Sequence, residues 1–536
     1  MTQDRPPVNK WLVTIAVMAG TFMEIIDTTV VNVALPHMAG SLSAGVDEAT
    51  WVLTSYLVSN AIVLPITGWL AALFGRKRFL MLCLALFTFS SMLCGSAPNL
   101  GLLIVFRIFQ GIGGGALQPI SQAILLESFP VRERGMAMAI WGIGVVFAPI
   151  IGPLLGGWIT DTLSWRWAFY INLPVGLLSL VMTGFFIFDP KYIREQRAGR
   201  IDYLGLGFLC VGLGALQVVL DKGEREGWFE SDFIVRLALV SAVSLILLLY
   251  WELRVKEPVV DLRLFKERNY AAGTAIMFFF GFVLYGSIVL LPLYLQTLMG
   301  YDATLAGWAL AYGGVGSLMI LPIVGRLTQL IDGRWLVGVG LVINAVAVYL
   351  MSLYNTQIDF AHAWWPRFVQ GFGLGTTFVS LTTLTMSRIS QEKMGNATGI
   401  FNLMRNLGGS FGIATATTLL SQRAQFHQTH LVEHLTPLSL PFTQWQQRMG
   451  HLFPQLGPDW QWWQGREAMG GLYLEVLRQA QMLAFCDVYY LFTLMCLALL
   501  PLVILMRPLP RAAARPEGQA PVGESPAAAP RSAAVD

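Results

Sequence analysis

Two carboxylates, Glu24 and Asp27, stand in the apolar stretch from Trp11 to Pro36. They are three residues apart, so a helix through this stretch sets both on one face. About 20 apolar residues at 1.5 Å each match a ~30 Å hydrocarbon core, so the stretch is long enough to cross a bilayer. A carboxylate at that depth is costly unless it is paired, wet or protonated. The chemistry this placement points to is uptake and release of protons. Arg107 adds a guanidinium, which keeps its proton, inside another apolar run. The expected proton-coupling residues are therefore Asp27 as the carrier, Glu24 as an extension of the relay, and Arg107 as an inward-facing countercharge. A cationic substrate replacing the proton at Asp27 is enough to couple two fluxes. The blander readings are a fixed pair or cap for the acids and a structural ion pair or carbonyl clamp for Arg107. Arg405 is also intramembrane, with structural and functional roles equally open. Arg367 lies nearer the external end of its run, where snorkelling accounts for it as well as function does.

The elements that must position these groups are helices. Apolar runs of about 17–25 residues give fourteen spans: 11–32, 50–72, 79–97, 100–123, 136–158, 166–188, 201–221, 233–252, 270–298, 304–329, 334–353, 361–386, 394–419 and 484–506. The expected fold class is an all-α polytopic membrane protein. Composition agrees, with 55% hydrophobic and only 12% charged residues, about half the charge of a soluble domain. Most of the 35 Lys and Arg residues fall in the loops on one side of this scheme, among them Arg76-Lys77-Arg78 and the C-terminal tail. By the positive-inside bias both termini lie in the cytoplasm. The net charge of +3 gives no case for nucleic acid. Five cysteines in apolar runs, with no Cys/His cluster, suggest neither a disulfide framework nor a metal site. The first run is too long and too acidic for a cleaved signal peptide.

Two segments repeat. Arg107-Ile-Phe-Gln-Gly-Ile-Gly-Gly-Gly115 returns as Arg367-Phe-Val-Gln-Gly-Phe-Gly-Leu-Gly375, and Leu64-Pro-Ile-Thr-Gly68 as Leu321-Pro-Ile-Val-Gly325, at nearly the same offset. Close helix packing accounts for the glycines but not for the matched Arg and Gln. Two six-helix halves with an inserted pair explain the repeat, with a binding site between the halves near the midplane. The expected organisation is a cytoplasmic N-terminus over 1–10, a first bundle over 11–188, and the inserted pair with its linkers over 189–269. A second bundle follows over 270–506, including a long external segment at 420–483, and then a disordered tail over 507–536.

In their order these segments resemble the major facilitator superfamily, specifically its fourteen-spanner drug:proton antiporters of the EmrB/QacA type. The likeness covers roughly 11–506. It rests on Asp27-Thr-Thr-Val-Val-Asn-Val-Ala-Leu-Pro36, on Gly68-Trp-Leu-Ala-Ala-Leu-Phe-Gly75-Arg-Lys-Arg78, on Arg107 to Gly115, and on Ala148-Pro-Ile-Ile-Gly-Pro-Leu-Leu-Gly-Gly157 with Trp165-Arg-Trp-Ala-Phe-Tyr-Ile-Asn-Leu-Pro174 after it. The resemblance implies a gating loop at Gly68, Gly75, Arg76, Lys77 and Arg78, and an antiporter motif at Pro149, Gly152, Pro153, Gly156 and Gly157. It implies proton-driven multidrug export across a bacterial inner membrane, with no cofactor beyond the proton gradient. The long external segment is similar to the EmrB side of the family, which implies an EmrA-like periplasmic adaptor and a TolC-like outer-membrane channel as partners. One position departs from the pattern: the loop motif's Asp is here Ala72, so the latch it would form must use other contacts.

For the substrate cavity the expected residues are Phe22, Met23, Asn32, Trp51, Tyr56, Gln118, Gln122, Trp141, Phe147, Tyr285, Tyr294, Gln296, Tyr312, Asn402 and Arg405. Aromatic and thioether side chains tolerate varied apolar shapes, and amides add adaptable hydrogen bonds. Export of an endogenous amphipath, such as a fatty acid or siderophore, is the main alternative. It needs a basic cavity, for which Arg107, Arg367 and Arg405 are the candidates. A non-transporting membrane sensor is the third reading. No nucleotide loop or zinc motif supports an enzyme.

Overall fold

The computed structural model describes residues 9–130, 133–189, 202–255, 258–433, the single positions 435 and 444, and 460–508. The expected N-terminal segment before Asn9, most of the 189–200 linker, the middle of the 420–483 segment and the tail beyond 508 lie outside the described residues.

Among the described residues, fourteen long helices occupy the expected spans. They are α1 (Lys10–Ser41), α2 (Trp51–Phe74), α3 (Arg76–Ser96), α4 (Leu100–Ser128), α5 (Arg134–Thr162), α6 (Trp167–Phe186), α7 (Tyr203–Lys222) and α8 (Asp232–Arg254). There follow α9 (Arg268–Thr297), α10 (Ala303–Leu330), α11 (Gly333–Ser352), α12 (Phe360–Met386), α13 (Met394–Glu433) and α14 (Trp460–Ala498). Among the described residues, eleven helices are individually apolar enough to cross a membrane. Of the other three, α12 and α13 carry buried polar residues, including Arg367 and Gln370 on one and Asn402 and Arg405 on the other.

Helix starts follow local chemistry. Asn9, Asn99, Asp202, Asp302 and Asp359 each accept a backbone N–H of the first turn, covering donors the helix itself leaves free. Three helices run past the limits hydropathy gives. The first continues through Pro36 to Ser41, and α13 reaches Glu433 while α14 begins at Trp460. Hydropathy marks where apolar side chains stop, whereas backbone hydrogen bonding continues beyond that point. The projecting part of α13 is tied to α14, because Asp487 Oδ2 accepts from Arg423 Nε at 2.6 Å and lies 2.7 Å from His427 Nε2.

Helices α1 to α6 pack among themselves, and α9 to α14 do likewise. The two groups meet along α2 with α13 and along α5 with α10. The inserted helix α7 lies across the α2/α13 seam. It bonds α2 through Asp221 to Thr54 and Lys222 to Thr50, and α13 through Gln217 Nε2 to Ser410 Oγ at 3.0 Å. Its partner α8 turns most of its apolar side chains outward, including Leu239, Ile246 and Leu249.

Candidate functional site

The first half holds a polar network in its apolar core. Arg107 Nη1 donates to Asp27 Oδ2 at 2.6 Å and to Gln110 Oε1 at 2.8 Å. Asp27 Oδ1 accepts from Gln110 Nε2 at 2.9 Å and from Asn172 Nδ2 at 2.7 Å. Arg107 Nε donates to the Val52 carbonyl at 3.1 Å, and the guanidinium lies 4.2 Å from the centre of the Tyr56 ring. Both Asp27 and Arg107 are fully buried. The carboxylate is thus neutralised locally and all its near partners come from the first half.

Glu24, one turn earlier, faces the boundary between the halves. Its Oε1 accepts from the Tyr56 hydroxyl at 3.1 Å and Asn60 Nδ2 at 3.2 Å, and its Oε2 accepts from Gln118 Nε2 at 2.6 Å. The other end of the Gln118 amide accepts from Arg405 Nη2, on α13, at 2.5 Å. One amide therefore links a carboxylate of the first half to a guanidinium of the second. Beside it, Asn402 Nδ2 donates to Gln122 Oε1 at 2.7 Å, a second polar contact across the same boundary.

The repeat predicts a counterpart network in the second half, and the structure has one. Arg367 Nη1 donates to Gln370, as Arg107 does to Gln110, and to Ser287 Oγ at 3.2 Å. Gln370 Nε2 also donates to Ser287 at 3.2 Å. Ser287 takes the place that Asp27 has in the first half. The sequence carried this signal, since Asp27 and Ser287 are separated as Arg107 and Arg367 are. Burial of Arg367, only 5% exposed, also removes the snorkelling account.

A cavity of about 500 Å³ lies beside these groups, between α5 on one side and α9, α10, α12 and α13 on the other. Trp158, Asp161, Thr304 and Trp308 line it, as do Leu321, Phe378, Arg367 and Arg405. Trp141 stacks on Phe378 with ring centres 5.5 Å apart, which joins α5 to α12 at the inner wall.

At the opposite end the halves are shut. A Cβ added to Gly68 would meet Asn396 at 2.1 Å, and one on Gly135 would meet Thr328 at 1.9 Å. Only a missing side chain allows these approaches of α2 to α13 and of α5 to α10. Arg76 spans the same end, pairing with Glu127 and donating from Nη2 to the Gln391 carbonyl at 3.3 Å. These contacts lie at the same end as Ala72, which supplies no carboxylate. Gly75 has φ +82°, a conformation that favours glycine, and its turn is held by Lys77 N donating to Asp189 Oδ1 at 2.8 Å.

The remaining predicted residues divide clearly. Among the residues predicted for the cavity, Tyr285 and Arg405 line it, and so does Gly157 of the α5 motif. Gly152 and Gly156 instead pack α5 on α1, where Cβ atoms would lie 1.8 Å from Thr29 Oγ1 and 3.2 Å from Val30. Pro149 and Pro153 fall within α5, but their side chains lie outside the described residues. Tyr56, Gln118, Gln122, Trp141 and Asn402 belong to the boundary contacts above. Met23 is core, Phe22 packs against a separate cluster that includes Ile25, Ile26 and Trp165, and Tyr294 is buried with its hydroxyl on the Asn355 carbonyl at 2.9 Å. Tyr312 stacks on Trp364 at 4.2 Å, and Trp51 lies beneath Lys222 at 5.1 Å. Asn32, Gln296 and Phe147 are exposed and are not among the lining residues, and neither is Arg78. Residue type alone could not tell which helix face each presents.

Comparison with known proteins gives the lineage. Residues 17–413 match the model of the Major Facilitator Superfamily. The multidrug export protein EmrB of Haemophilus influenzae is 42% identical over 427 residues, 80% of this chain and 83% of its own length. The fatty acid resistance protein FarB of Neisseria gonorrhoeae is 37% identical over 514 residues, 94% of this chain and 98% of its own. Among solved structures, the human organic anion transporter MFSD10 (TETRAN) has a TM-score of 0.58 at 14% identity, covering 92% of this chain and 100% of that one, a likeness of fold.

Proposed function

This chain belongs to the major facilitator superfamily, on its EmrB-type branch, and we propose that it is a proton-driven exporter of amphipathic drugs in the bacterial inner membrane. The observation that carries this reading is the bridge Glu24–Gln118–Arg405, which joins a buried acid of one half to the wall of the cavity in the other. An acid in that position changes its charge only by taking up or releasing a proton, and the bridge strength changes with it. Proton occupancy and the contact between the halves are thereby linked. Asp27, neutralised by Arg107 and absent from the cavity wall, exchanges its proton only when the halves rock and the pair loosens. Direct competition between substrate and proton at Asp27 therefore gives way to indirect coupling through Glu24.

With the basic loops in the cytoplasm, the glycine seam closes the inner face and the cavity is directed outward. That is the releasing state of an exporter. The projection of α13 supports a periplasmic partner, since its 40 residues span about 60 Å, twice a ~30 Å hydrocarbon core. An EmrA-like adaptor seated on it, with a TolC-like channel beyond, fits the likeness to EmrB.

The test is dye transport in proteoliposomes under an imposed pH gradient. Gradient-driven flux is expected for the native chain and its loss in Glu24→Gln and Asp27→Asn. Undiminished, gradient-dependent flux in both folded variants refutes the coupling.

A further inference from the structure

We propose that the cavity opens sideways into the outer leaflet through a slit between the outer halves of α5 and α10, and that the inserted helix α7 closes the equivalent slit between α2 and α13. The occupant of the open slit is the acyl chain of an outer-leaflet phospholipid, and an amphipath dissolved in that leaflet takes the same route. This deepens the export reading above and rests on it for which leaflet the cavity meets.

The two seams between the halves begin alike and end differently. At the shut end α5 lies on α10 at Gly135, where an added Cβ would stand 1.9 Å from Thr328 Oγ1. Further out, a Cβ on Gly325 would lie 3.0 Å from Ala139 Cβ, and one on Gly142 would lie 3.2 Å from Leu321 Cδ2. Beyond that level the two helices part. Gly157 of α5 and Gly307 of α10 both line the cavity, and a Cβ on either would meet nothing within 4 Å. The seam of α2 with α13 is as tight at its inner end, where Gly68 meets Asn396 and a Cβ on Gly399 would stand 2.6 Å from the Leu64 carbonyl oxygen. Its outer part, by contrast, is filled by α7. That helix bonds Thr50 and Thr54 of α2 and, through Gln217, Ser410 of α13. A Cβ on its Gly214 would lie 3.6 Å from both Val58 and Ile62 of α2. In the turn that follows, Trp228 Nε1 donates to Thr418 Oγ1 at 2.9 Å, which fixes the end of α7 to α13 as well. Among the described residues, none of α2 or α7 lines the cavity.

The walls of the open slit suit a lipid chain. Gly307 and Ala311 of α10 put no long side chain across it, and Leu284 and Ile288 of α9 form an apolar wall of the cavity. A methylene chain that leaves lipid for such a wall exposes no new apolar surface to water, so room alone limits its entry. The mouth is marked by Trp158 and Trp308, each at least half exposed and close to the outer end of its helix. Tryptophan settles at headgroup level, because its ring is apolar while its N–H reaches polar groups. Asp161 and Thr304 stand still nearer the helix ends and add polar groups at that level. Head groups thus remain at the mouth while tails pass between α5 and α10. On the other seam a chain would first have to break the bonds that hold α7.

The experiment uses the full-length protein in phosphatidylcholine nanodiscs that include a phosphatidylcholine with a diazirine at the end of one acyl chain. After illumination, mass spectrometry of the digested protein locates the labelled residues. Label is expected on Leu284 and Ile288 inside the cavity, as on the outward-facing Ile246 and Leu249 of α8, and not on Val58 and Ile62 beneath α7. Gly307→Trp fills the slit from α10 and is expected to cut the label on Leu284 and Ile288 about tenfold relative to that on α8. Gly157→Leu is expected to lower it in the same way from α5, so the proposal stays testable if one variant does not fold. Native protein without label on Leu284 and Ile288 overturns the proposal, as does equal label on Val58 and Ile62. Undiminished label in the folded variants also overturns it, because the chains then enter by another path. Dye flux under a pH gradient, measured in parallel, separates the two levels: flux without cavity label sinks only this inference, whereas cavity label without flux sinks only the export reading.

Discussion

Asp27 and Ser287 occupy matching places in the two halves, the first accepting from Arg107 at 2.6 Å and the second from Arg367 at 3.2 Å. The same Arg–Gln scaffold is thus built twice and given a countercharge once. Asp27→Ser, which makes the first half resemble the second, leaves Arg107 buried and unpaired. A loss of roughly 3–5 kcal/mol is expected for such truncation of a buried pair. Thermal denaturation in detergent measures it, and Asp27→Asn, which retains hydrogen bonding, is expected to lose less stability than Asp27→Ser.

Glu24 and Gln118 separate proton exchange from mechanical linkage. Glu24→Gln removes the titrating group and is expected to flatten the dependence of flux on external pH. Gln118→Leu keeps the acid but cuts its connection to Arg405. That variant is expected to keep proton uptake while flux falls about tenfold, as loss of one charge-assisted hydrogen bond implies. Flux assays across a pH series, paired with proton uptake measured by a dye, distinguish them.

Gly68 is the tightest contact between α2 and α13 at the shut end. Gly68→Val forces the seam apart at a cost of about 1–3 kcal/mol, which moves the balance of the two conformations roughly tenfold or more. Labelling of a cysteine introduced at Thr398 is expected to accelerate from the loop side. Unchanged labelling would show that the seam is not closed by this contact.

Arg76 holds the same end by its charge. Arg76→Ala loses the pair with Glu127 and the bond to the Gln391 carbonyl, an expected change of about 2–3 kcal/mol for a charge-assisted contact. Hydrogen exchange over 387–395 is expected to rise in consequence. Glu127→Gln keeps the carbonyl bond and is expected to fall between the native chain and Arg76→Ala.

Gly152 lets α5 lie on Thr29 of α1, beside the helix that carries both acids. Gly152→Val overpacks this contact by about 1–3 kcal/mol. The expected result is faster collapse of an imposed pH gradient without substrate, measured in proteoliposomes with an internal pH dye.

Much of the site was legible in residue type and spacing. An acid inside an apolar run is so unfavourable that its partner had to be another buried polar group, and Arg107 was the available one. The repeat located Arg367 and Gln370 and carried Ser287 as well, for anyone tracing Asp27 through the same offset. Span limits followed hydropathy except where α1, α13 and α14 continue past the apolar band, because backbone hydrogen bonding ignores that band.

What spacing could not decide was which face of each helix meets which neighbour. Tyr294 and Tyr285 are both aromatic residues of α9, yet one is buried against the Asn355 carbonyl and the other lines the cavity. The sequence by itself determined the class of molecule, its fourteen helices and its buried charges, since these follow from how much apolar surface a segment offers to lipid. Only the tertiary structure decided that Asp27 is sealed by its partners, that Glu24 reaches across to Arg405 through Gln118, and that Arg367 is left with a hydroxyl. Those outcomes depend on angles and distances between helices far apart in the chain, set by where glycines let backbones touch.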